Sequence, residues 1–168
     1  MASSDTLVTA LNGVVNAREP FPWLATGGQP GIEHLGSLRR AGCDAVIDTR
    51  DPMEPQPFDP SVAAQNAHLT YINIPVPHSA PDDAVFERVR STLTALHGEG
   101  KRVFVYCNSG NRVGAALIPY FMLELRLTDQ QATAKAMEIG LRSAELLEAA
   151  LAYVRRVRDS DASTSASR

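Results

Sequence analysis

Val103–Gly114 reads VFVYCNSGNRVG, and its reading decides the fold. The apolar run Arg102–Tyr106 predicts a strand, with Cys107 as the first residue after it. Gly110 allows backbone dihedrals that other residues resist, and Arg112 with Val113 opens a helix. A loop between strand and helix turns successive N–H groups toward one point, and the helix N-terminus adds a positive partial charge there. An anion suits such a nest, and so does a thiolate. An ordinary thiol titrates near about 8.5, and such surroundings lower that to about 3.5–7.5. Arg112 carries a planar fork that grips two oxygens of a phosphate or sulfate. The stretch thus offers a nucleophile, Cys107, an anion clamp, Arg112, and a cradle of amides from Asn108, Ser109, Gly110, Asn111 and Arg112. The plainer reading is a structural cysteine at a strand end. The glycine and arginine that follow at fixed places argue against it.

Outward from this loop, strands and helices alternate. Trp23–Thr26 reads as a short strand ended by Gly27-Gly28-Gln29-Pro30, and a helix follows over Ile32–Ala41, with Ile32, Leu35 and Leu38 on one face. Ala45–Asp48 is a buried parallel strand, and Arg50–Pro60, with four prolines and three acidic residues, is a loop. A helix over Ser61–Ala67 leads to a strand over Thr70–Val76. A longer helix from Pro81 to His97 has Val85, Val89, Leu93 and Leu96 as its stripe. Val113–Leu125 is apolar nearly all round and should be a central helix kinked at Pro119. Thr128 and Gln131 form a capping box, and Ser143 caps a last helix with Leu147, Leu151 and Val154 inward. The expected fold is α/β in a single domain: a mainly parallel sheet of four to five strands flanked by helices, with a helical C-terminus. Residues 1–20 are expected to be a peripheral lead-in with a short helix near Thr6–Leu11. Residues 21–158 form the domain, and 159–168 a disordered tail.

The 168 residues are 44% hydrophobic and 21% charged, as in an ordinary globular domain. The net charge of −3 gives no field for nucleic acid or an anionic membrane, so an anionic substrate needs a local site. Two cysteines, no signal-peptide pattern and no long apolar run place the chain in the cytoplasm, off the membrane. Cys43, after Gly42, reads as core packing. His34, His68, His78 and His97 have no ligand spacing, so neither metal nor cofactor is expected.

Four stretches together resemble one family. LATGGQPGIEHLGSLRRAGCDAVIDTR, LTYINIPV, CNSGNRVGA and AMEIGLRS are similar to the beta-lactamase-hydrolase-like phosphatases, bacterial relatives of tyrosine and dual-specificity phosphatases. The resemblance runs from about Leu24 to Val154. It implies a cysteine-phosphatase-like fold and a phosphorylated substrate, protein or small molecule. It also implies two-step transfer, in which Cys107 takes the phosphoryl group, Arg112 and the loop amides hold its equatorial oxygens, and water releases it. The sequence departs from the usual phosphatase pattern at three places. Only four residues separate Cys107 from Arg112, where five are usual. Tyr106 stands where His is favoured, and Val113 where Ser or Thr is. The shorter loop is that of rhodanese-type sulfurtransferases, in which reading Cys107 would carry a persulfide. Val46–Arg50 also resembles a rhodanese segment, but Asn66-Ala67-His68-Leu69 stands where a Gly-His-Ile signal belongs. A non-catalytic module that binds phosphorylated ligands is the third reading.

A phosphatase also needs an acid to protonate the leaving oxygen. In PHSAPDD, Asp82 is the candidate, with Asp83 and His78 beside it. The bland alternative for both aspartates is favourable charge in a first helical turn. Asp48 and Arg50 lie at a strand's end on the ligand-bearing edge of the sheet, where an ion pair or loop hydrogen bonding is expected. Gln29 and Pro30 are expected to fix a turn.

Overall fold

The structure, a computed structural model, describes residues 5–167. Five strands form one sheet: β1 (Arg18–Phe21), β2 (Leu24–Gly27), β3 (Ala45–Asp48), β4 (Thr70–Asn73) and β5 (Val103–Tyr106). Their spatial order is β1-β2-β5-β3-β4, with only β1 antiparallel to its neighbour. Among the described residues there are six α-helices: α1 (Ile32–Arg40), α2 (Pro60–Asn66), α3 (Asp83–Gly98), α4 (Asn111–Pro119), α5 (Asp129–Ile139) and α6 (Ala144–Ala166).

Alternation along β5 divides the core. Val103 and Val105 face one apolar cluster with α3, α4, α5 and α6, while Phe104 and Tyr106 face another with α1 and α2. Tyr106 stacks on Phe104 with ring centroids 5.5 Å apart, so its side chain points away from the Cys107 side. Gly27, Asp48 and Tyr106 end their strands in register, which sets three strand ends level at one edge of the sheet.

Several expectations need correction. Residues 5–17 are not peripheral: Leu7 and Leu11, in a 3₁₀ turn over Leu7–Leu11 where a short helix is expected, are fully buried against β2 and α1. They cover apolar surface that the short β2–α1 unit leaves bare. The hairpin strand β1 was not expected, because Arg-Glu-Pro-Phe has no apolar alternation; it is an edge strand defined by its neighbour. The fourth strand stops at Asn73, since prolines at 75 and 77 cannot donate to a ladder.

Ile32 is 58% exposed, so the inner face of α1 is carried by Leu35 and Leu38. The buried stripe of α6 is Leu146, Ala150, Tyr153 and Val154; of the expected set, Val154 is buried, and Leu147 and Leu151 are partly buried at the edge of the same cluster. The same helix runs through the stretch expected to be a disordered tail. Propagation from a well-capped start needs only one new bond per residue, and Thr164 and Ser167 hydroxyls donate to carbonyls one turn back. At Pro119 the expected kink takes the form of a π-helical turn over Tyr120–Glu124, because proline supplies no N–H to the α-ladder.

Candidate active site

Cys107 is the first residue beyond β5, and α4 begins at Asn111. The loop between them is shaped from outside. The Gln29 N–H donates to the Asn108 carbonyl at 3.1 Å, and Asn16 Nδ2 donates to the Ser109 carbonyl at 2.7 Å. Both carbonyls are thereby drawn outward. In a trans peptide the N–H points the opposite way, so the amides of Ser109 and Gly110 face into the loop. The Gly110 N–H donates to Cys107 Sγ at 3.0 Å, a geometry that suits a negatively charged sulfur. This turn requires Gly110, whose φ is +93°. Gly28 is required by closeness: a Cβ there would lie 2.6 Å from the Asn108 carbonyl oxygen.

Arg112 is the second residue of α4, in its first turn, and is 2% exposed. Its Nη1 and Nη2 donate to the two carboxylate oxygens of Glu54 at 2.7 and 3.0 Å, and Nη1 also reaches the Val76 carbonyl at 3.4 Å. The hydrogen bonds from Arg112 hold the Glu54 carboxyl down to about 2, against a smaller opposing effect of burial. Burial works against the Arg112 charge, but Glu54 and the nearby Cys107 sulfur outweigh it and raise its pKa. The contacts to Glu54 are made by Nη1 and Nη2 and do not use Nε.

A second buried arginine supports this pair. Arg50 donates to the side chains of Gln29 and Gln56 and to the Pro55 carbonyl, and its Nε lies 3.5 Å from Glu54. Asp48 accepts from the Arg50 N–H at 2.9 Å and from the Tyr71 hydroxyl at 2.7 Å, as the expectation of loop hydrogen bonding had it. Above Arg112 opens a cleft of about 570 Å³, walled by Met53, Glu54, Pro55, Val76, Pro77 and His78.

The structure brings Cys107, Gly110 and Arg112 together, with Asn108 and Ser109 shaping the loop. The Asn111 side chain is engaged elsewhere: its Oδ1 accepts from the Arg142 and Ser143 N–H groups and so ties the loop to the start of α6. Of the three acid candidates only His78 lines the cleft. The Asp82 carboxylate caps α3, accepting from the Val85 N–H at 3.1 Å. Asp83 accepts two hydrogen bonds from Arg156 on α6, which lower its pKa. Cys43 is wholly buried and its thiol is pushed up to about 12, chiefly by burial, as befits a packing role.

Glu54 escaped the sequence reading. The signal was there: a buried arginine demands a carboxylate, and the acidic loop after β3 lies at the same edge of the sheet. Asn16 carried no such signal.

Fold and loop together define an α/β protein of the cysteine-phosphatase type in architecture. No family model and no curated protein matches the chain. Among solved structures it is similar to Tk-PTP in the active form, with TM-score 0.75 and 19% identity over 84% of this chain and 97% of that one. It is also similar to a DUF442-type protein from Shewanella putrefaciens CN-32, with TM-score 0.71 and 24% identity over 88% and 95%. A cysteine-to-serine variant of P. aeruginosa TpbA, in complex with pTyr, gives TM-score 0.66 and 22% identity over 84% and 83%. At these identities the likeness establishes the fold. Among the described residues no helix is long and apolar enough to cross a membrane.

Proposed function

We propose that this chain is a metal-independent phosphomonoesterase of the tyrosine and dual-specificity type, near the DUF442 branch, acting in the reducing cytoplasm. One observation carries the reading: a loop amide aimed at Cys107 Sγ, with the buried Arg112 fork in the first turn of the following helix. In this reading the sulfur attacks phosphorus and the Nε side of Arg112 takes the equatorial oxygens together with the Ser109 and Gly110 amides. Water then hydrolyses the cysteinyl-phosphate. Glu54 holds the guanidinium in place while that charge develops. The pTyr bound by the TpbA variant supports a phosphorylated substrate.

The purified chain should release phosphate from an aryl phosphate, and Cys107→Ser should abolish release. Equal, negligible rates in both proteins would remove the reading. A second reading has its own observation: Cys107 is 1% exposed, which suits a module that binds phosphorylated ligands without turnover. Phosphate binding with no hydrolysis would select it. Cys107-dependent sulfur transfer from thiosulfate to cyanide would select the rhodanese chemistry that the four-residue loop allows.

A further inference from the structure

We infer that His78 is the general acid of this site, an inference that rests on the phosphatase reading above. The titratable and charged groups that face the cleft are Asp51, Glu54, His78 and Arg112. Arg112 is a permanent cation. Glu54 is bound through both oxygens to Arg112 and is held anionic. Asp51 is tied into its own turn: its Oδ1 accepts from the Met53 N–H at 2.8 Å, and its N–H donates to Glu54 at 2.7 Å. The two aspartates after Pro81 are used elsewhere, one as the cap of α3 and the other on Arg156. His78 is the remaining side chain lining the cleft that can donate a proton without giving up a hydrogen bond or ion pair already described.

The backbone that leads to it is anchored. Val76, two residues earlier, donates its N–H to the Thr49 carbonyl at 2.9 Å, and its own carbonyl accepts from Arg112. Prolines at 75, 77 and 81 restrict the segment further. The imidazole is thus carried on a short, stiffened arm anchored to the guanidinium that would hold the phosphate.

The chemistry balances. Cys107 sulfur forms a bond to phosphorus as the bond from phosphorus to the leaving oxygen breaks. The electron pair passes to that oxygen, which takes the proton from the imidazolium of His78. The neutral imidazole then takes a proton from water, whose oxygen bonds to phosphorus as the S–P bond breaks and its electron pair returns to sulfur, releasing phosphate.

The test compares phenyl phosphate, a poor leaving group, with 2,4-dinitrophenyl phosphate, a good one, for wild type, His78→Gln and Asp51→Asn. His78→Gln should lower kcat on phenyl phosphate about a hundredfold, lose the alkaline limb of the kcat profile, and lose little on the dinitrophenyl ester. Its affinity for orthovanadate should stay within about twofold of wild type, showing an intact cradle. Equal losses on both esters, or an unchanged alkaline limb, would overturn the assignment and leave the phosphatase reading standing. The same pattern in Asp51→Asn instead would move the proton to Asp51. A wild type that hydrolyses neither ester would take both readings down together.

Discussion

On one side, the loop Cys107–Arg112, which lines the cleft through Arg112, is shaped by peptide groups: two carbonyls pulled outward, one amide on sulfur, a glycine at positive φ, and a guanidinium fixed by a carboxylate. On the other, the segment Pro75–Asp83, which lines the cleft at Pro75–His78, has its polar side chains exposed, and its two aspartates stabilise helices outside the cleft. The first side has its chemistry built into the backbone and tolerates little change. The second offers an arm with one usable side chain, so most substitutions there should affect folding more than reaction. In the proposed reading, anion binding rests on a backbone-shaped loop and proton delivery on one side chain of a proline-stiffened arm.

The harshest attempt to break this contrast is Gly110→Ala. A Cβ at this position would lie 2.6 Å from the Ile139 carbonyl oxygen, in a backbone conformation with φ +93°. Loop and α5 cannot both stay in place, and the amide on Cys107 must turn. Aryl phosphate hydrolysis should fall about a hundredfold, the usual cost of losing one oxyanion donor. Thermal unfolding should show a loss of about 1–2 kcal/mol for the left-handed residue alone. Turnover near the wild-type value would mean that the backbone of this loop does not set its chemistry.

The two sides also differ in how far the sequence reveals them. A strand, a cysteine, a glycine and an arginine before an apolar helix are local features, and local features fix a loop between adjacent elements. Cys107, Gly110 and Arg112 are therefore readable in order. Glu54 is not, because its role depends on the β3–α2 loop folding over α4, a meeting of residues 58 positions apart. Asp82 and Asp83 can be read either as acid or as first-turn charge, since both uses favour the same residues at the same helix start. Only the position of Arg156 on α6 shows where Asp83 is engaged. Composition alone cuts the last helix short, because it reports what a segment can bury, and the turns past Val157 are exposed.

A milder test removes the partner rather than the backbone, with Glu54→Gln. In the fold Glu54 titrates near 2, against 4.5 for an ordinary glutamate. A depressed carboxyl stabilises the fold fully above its unfolded pKa and progressively less as pH falls toward the folded one. Urea unfolding at neutral pH should show Glu54→Gln less stable by about 2 kcal/mol, below the full linkage figure because water still reaches the pair. The gap between variant and wild type should narrow from about pH 4.5 downward and close near 2. A gap constant with pH would mean that the pair contributes packing and not charge. Arg112 would also lose its anchor, so kcat/KM should drop about tenfold, the loss of roughly one charge-assisted bond.

The smallest expected effect lies in the Pro75–Asp83 segment, with Asp82. Its carboxylate oxygen accepts the Val85 N–H at the first turn of α3, so Asp82→Ala should cost about 1 kcal/mol of stability and Asp82→Asn far less, because the amide oxygen can still cap. Both variants should hydrolyse phenyl phosphate at the wild-type rate, with the same alkaline limb. A catalytic acid would reverse the order: Asn cannot give up a proton, so the variant that keeps the cap would lose the turnover. The ranking of Ala and Asn in stability and in rate therefore separates a helix cap from a proton donor without reference to any third residue. A stable but slow Asp82→Asn would place the acid at the start of α3 and give the second side as direct a part in the chemistry as the first.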